Sequence, residues 1–146
     1  MLLRHPILSF ASFAYLAVLG WLTLTPQAST IDSNLLWRLA ERLQRLPGLD
    51  WVTFLHLEFA ANVALFVPFG VLGVLLLGRS RWWLAIILGL VATVAIELAQ
   101  QGIAGRVSDP RDLVANGLGT IVGVLLALIM TVGDARRNRM ARQAAA

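Results

Sequence analysis

Residues Thr93–Gly123 read TVAIELAQQGIAGRVSDPRDLVANGLGTIVG. Two apolar segments meet in this stretch at a short polar turn, and Glu97, Gln100, Arg106, Asp109, Asp112 and Asn116 all fall within it. A charged side chain in so apolar a setting costs about 3 kcal/mol unless it is paired or faces water. These residues are therefore the first candidates for function, while the apolar segments around them decide the fold.

The rest of the 146-residue chain has the same character, 58% apolar and only 14% charged, outside the composition of an ordinary soluble domain. Roughly 20 helical residues cross about 30 Å of hydrocarbon. Four stretches reach that length: Pro6–Thr25, His56–Gly78, Trp82–Ala104 and Asp112–Gly133. What lies outside them is too short for a second domain. The expectation is an all-α integral membrane bundle of four transmembrane helices, a single domain over residues 1–146 with a basic tail at 134–146. The first stretch reads as a retained span and not a secretory signal. Its apolar run is long for a signal core, and Pro26-Gln27-Ala28-Ser29 makes no convincing cleavage site.

All twelve basic residues are arginine, and their placement says more than the net charge of +4. Arg4, Arg79, Arg81, Arg136, Arg137, Arg139 and Arg142 lie before the first span, between the second and third, or in the tail, opposed only by Asp134. In the other two loops the arginines and acids balance. The positive-inside rule then puts the N and C termini in the cytoplasm and the Thr93–Gly123 turn outside. The basic tail reads as a membrane-surface and topology signal, and a nucleic-acid partner is not expected. With no cysteine, and with His5 and His56 far apart in sequence, no metal site is expected and no cofactor is implied.

Within the first loop, Ser33–Leu46 reads SNLLWRLAERLQRL, its leucines on one helical face and its charges mostly on the other. Pro47-Gly48 ends it. This is expected as an amphipathic helix on the outer surface, with a helix folded over the bundle mouth as the alternative. In the second span Glu58 and Asn62 stack on one face. Pro68 lacks an N–H and should kink that helix, and Gly70 allows a close neighbour just beyond. In the third span Gly89, Thr93, Glu97 and Gln100 share a face. Ser108-Asp109-Pro110 suits the start of the fourth helix, where Asp112, Asn116, Gly119 and Gly123 form a stripe.

Because the chain runs up and down, these polar residues should gather at the outer end of the bundle. Arg106, in the turn, is expected to pair with the carboxylates in one buried cluster. Taken together, Asn62-x-x-x-Phe66-x-Pro68-Phe69-Gly70, then Glu97-x-x-Gln100, Arg106, Asp109, Asp112, Asn116, Gly119 and Gly123, resemble the signature of the VanZ-like family. The resemblance runs from about His56 to Ile129, with Thr93 where many members carry serine. It implies a small multi-pass protein of the bacterial plasma (inner) membrane. Founding members are associated with teicoplanin resistance, and no agreed reaction comes with the motif.

The favoured reading is a non-enzymatic envelope protein. Asn62, Glu97, Gln100, Arg106, Asp109, Asp112 and Asn116 would bind a membrane lipid, a lipid-linked envelope component or a lipoglycopeptide, and Pro68, Gly70, Gly119 and Gly123 would serve the structure. Arg106 would hold a phosphate or carboxylate, and the amides would supply directional hydrogen bonds. Two alternatives stand beside it. One is an intramembrane enzyme acting on a lipid-linked substrate, with Glu97 as acid or base and Asp112 as its partner. The other is a structural role, as an assembly partner of another membrane protein. A proton-coupled transporter is a lesser option, and a homo-oligomer is compatible with four spans per chain.

Overall fold

The computed structural model describes residues 6–25, 32–103, 109–133 and 143. Regular structure among the described residues is helical throughout: α1 (Pro6–Leu24), α2 (Asp32–Gln44), α3 (Phe54–Leu77), a 3-10 turn (Arg79–Arg81), α4 (Trp82–Gln100) and α5 (Pro110–Met130). The helices α1, α3, the 3-10 turn with α4, and α5 are each long and apolar enough to cross a membrane. In hydrocarbon a helix satisfies its own backbone, which is why an apolar chain of this composition folds into helices alone.

Helix boundaries follow local chemistry. Thr53 precedes α3, and its N–H donates to Nδ1 of His56 at 3.2 Å, so this histidine closes a helix cap. Asp109 caps α5 by accepting from the Arg111 N–H at 2.9 Å, with Pro110 in the first position as expected. The α4 helix stops at Gln100, earlier than the apolar run suggests, and Gln101-Gly102 turn away. The amphipathic helix likewise stops at Gln44, two residues before Leu46, because the backbone is already turning into Pro47-Gly48. Pro68 sits inside α3 without ending it.

Three helices make the centre. α3 and α5 run side by side in the same direction, and glycines let their backbones touch. A Cβ on Gly119 would collide with the Val63 carbonyl, one on Gly123 with the Val67 carbonyl, and one on Gly70 with the Thr120 carbonyl. α4 returns antiparallel beside them, with Gly89 against Thr120 and Gly73 of α3 against Ala85. Val74, Ala85, Val124 and Ala127 form the apolar core towards the 3-10 turn. The large aliphatic side chains point the other way: Ile87, Leu90, Val91, Leu98, Val114, Leu125 and Ile129 are all exposed. Small residues inside and bulky ones outside are what lipid surroundings favour, since leucine gains nothing by leaving lipid for a protein interior.

α1 packs on this trio through two polar ties. The Tyr15 hydroxyl donates to the Leu65 carbonyl at 2.8 Å, and the Gln100 side-chain amide donates to the Thr23 carbonyl at 2.8 Å. α2 rests against the start of α3, where Trp37 stacks on Phe54 with centroids 4.8 Å apart and Gln44 donates to the Val52 carbonyl. Its Ala40 is buried, while Leu35, Leu39 and Trp37 remain exposed. At the opposite end Arg79 donates to the Leu128 carbonyl and, at 3.1 Å, to the Thr131 hydroxyl, closing the end of α5.

Candidate functional site

The alternating directions bring the end of α4 to the beginnings of α3 and α5. Every described polar residue singled out in the sequence therefore arrives at one end of the bundle. Asn62 on α3 donates through Nδ2 to Oδ1 of Asp112 on α5 at 2.6 Å, a bond across 50 positions of sequence. One turn deeper, Asn116 donates through Nδ2 to the Thr93 hydroxyl of α4 at 2.8 Å. Glu97 stands one turn above Thr93 on α4. Glu97 and Asn116 are each only 4% exposed.

The other site residues separate into different tasks. Gln100, 5% exposed, spends its amide N–H on α1, so it forms the wall between this cluster and the first helix. Asp109 is the cap of α5. Arg106 lies outside the described residues, and so does its expected pairing with the carboxylates. Gly70, Gly119 and Gly123 are buried at the α3–α5 contact, the structural positions assigned to them.

Within the cluster the hydrogen bonding is unequal. Each amide nitrogen makes a hydrogen bond: Asn62 to Asp112, Gln100 to Thr23 and Asn116 to Thr93. The Thr120 hydroxyl turns back to the Asn116 backbone carbonyl at 2.9 Å, satisfying itself within α5. Among the described residues Oδ1 of Asn116 is the one buried side-chain oxygen or nitrogen without a hydrogen-bond partner. An unmet buried acceptor costs about 1–3 kcal/mol. Among the described residues no three of His, Asp and Glu stand where they could share a metal ion.

The VanZ/LLP1 family model matches residues 12–131, from the middle of α1 to the end of α5. The chain belongs to the VanZ/LLP1 family. The match covers α1 and α2 as well as the motif-bearing helices, so this VanZ/LLP1 domain is wider than the signature residues suggest. No curated protein matches the chain, and no solved structure does.

Two contributors were missed in the sequence reading of this VanZ/LLP1 protein. Tyr15 is the single tyrosine, and a phenol inside an apolar span needs a partner for its hydroxyl, so a signal was available. It finds the carbonyl three residues before Pro68, next to the stretch of α3 whose backbone bonding the proline disturbs. Thr23 contributes only its backbone carbonyl, which leaves no trace in a side-chain pattern.

Proposed function

We propose that this VanZ/LLP1 protein binds an amphiphilic molecule of the bacterial envelope, a lipid-linked precursor or a lipopeptide-like headgroup, in the polar cluster of α3, α4 and α5. The observation that carries this reading is the unpartnered Oδ1 of Asn116, buried one turn along α5 from Asp112 near one end of apolar helices. Structural needs do not account for the cluster, because the glycine contacts already hold α3 against α5. Polar pairs between membrane helices contribute on average about 0.6 kcal/mol.

The reading orients the bundle by its arginines, with the cluster towards the outer leaflet of the plasma membrane and both termini in the cytoplasm. Arg106, in the α4–α5 connection, supplies the cationic contact to phosphate or carboxylate, and Asn62, Asp112 and Asn116 form the inner wall. Sequestering or displacing such a molecule would alter susceptibility to teicoplanin-type lipoglycopeptides.

Mass spectrometry of the lipids retained by purified wild type and by Arg106→Ala tests the binding. A depleted or altered lipid set in the variant supports the reading, whereas identical lipid profiles would overturn it. The burial of Glu97 at the end of the bundle that carries Asp112 favours a second reading, acid–base chemistry on a lipid-linked substrate. Turnover of candidate lipid phosphates that persists in Glu97→Gln would remove that role.

A further inference from the structure

Asn116 is the seventh residue of α5, so it lies roughly 9 Å along the helix from its start at 1.5 Å per residue. Side chains lean towards the N-terminus of their own helix, which tilts Asn116 towards the turn that carries Asp112. Its Nδ2 is held by Thr93, and the opposite edge of the same amide presents Oδ1. One turn back on α5 stands Asp112, which accepts from Asn62 at Oδ1.

This end of the cluster therefore sets the unpartnered Oδ1 of Asn116 one helical turn from the Asp112 carboxylate. A phosphate or carboxylate would bring more acceptors and a like charge to this position. What completes it is a group with several N–H donors and a positive charge, the inventory of a primary ammonium.

We propose that the cluster recognises a lipid whose headgroup carries a primary ammonium, which donates to Oδ1 of Asn116 and to the Asp112 carboxylate. The inference rests on the cluster being the ligand site and gives that ligand its chemical class.

Purified full-length protein in nanodiscs of mixed composition provides the test, with phosphatidylethanolamine, phosphatidylcholine and phosphatidylglycerol as probes and bound lipid read by native mass spectrometry. Phosphatidylcholine has the same net charge as phosphatidylethanolamine and no N–H, which makes it the decisive control. The expected result is a preference for phosphatidylethanolamine of about tenfold over each of the others, the ratio one charge-assisted hydrogen bond confers. That preference should fall to near equality in Asp112→Asn, which keeps an acceptor for Asn62, and in Asn116→Leu. Lipid retention that depends on Arg106 but shows no amine preference would overturn this inference and leave the binding reading intact. So would saturation by soluble ethanolamine without any lipid preference. No retained lipid above the bulk composition would remove both. The wild-type comparison decides the matter even if a variant fails to fold.

Discussion

In its first two turns α5 carries Asp112 and Asn116, which reach across to α3 and α4 through side-chain hydrogen bonds. From Gly119 onward the same helix carries Gly119, Gly123 and Ala127, and there the neighbouring backbone comes into direct contact. The deeper half has no room for an added carbon. The polar half keeps a buried oxygen without a partner. The contrast teaches a division of labour along one helix. Close packing of small residues supplies the cohesion, which frees the polar turns from having to hold the bundle together.

The sharpest way to break this contrast is to add one methyl group in the deeper half. Gly123→Ala places a carbon into the Val67 carbonyl, where neither backbone has a rotamer with which to yield. We expect a loss of about 3 kcal/mol or failure to fold, read as thermal denaturation in detergent. Melting equal to wild type would dissolve the distinction between the two halves.

Gly89→Ala is the graded version. Its new Cβ would meet the Thr120 side chain, with Cγ2 at 2.5 Å and Oγ1 at 2.6 Å. We expect a cost of about 1–2 kcal/mol. Combining it with Thr120→Ala should recover part of that loss, because the two nearest clashing atoms are gone; strict additivity of the two changes would argue against direct contact.

Smaller again is Tyr15→Phe, which removes the donor to the Leu65 carbonyl and should cost about 1 kcal/mol. Faster amide exchange around Pro68 in the variant would localise the effect to α3.

The smallest stability change belongs to the polar half. Asn116→Leu should shift stability by under about 1 kcal/mol, since it removes one polar pair together with an unmet acceptor. Lipid retention should fall nonetheless. Function and melting lost in proportion would instead assign the polar turns to cohesion.

Much of this was legible beforehand, for identifiable reasons. The helices follow from hydrophobic length, and the gathering of Asn62, Glu97, Asp112 and Asn116 follows from their distances to the ends of spans that alternate in direction. Asp109 and Pro110 as a helix start follow from local backbone chemistry. Gln100 shows where such reading stops. Its spacing puts it on the face of Thr93 and Glu97, but the approach of α1 draws its amide to Thr23. Helical periodicity gives the direction of a side chain without naming the helix on the other side. The ends of α4 and α2 were placed too far along for a related reason, because apolar composition continues past the residue where the backbone turns.

The sequence by itself determined that this is an all-helical chain with four spans of membrane length and polar residues at matching levels, since hydrophobic run length and the 3.6-residue period are properties of the chain alone. The tertiary structure alone decided which polar atoms pair and which one is left over. Asn116 could have bonded to Glu97, Gln100 or Asn62 with equal chemical sense. The close approach of α4 to α5 at Gly89 and Thr120 instead delivers Thr93 to its Nδ2 and leaves Oδ1 without a partner.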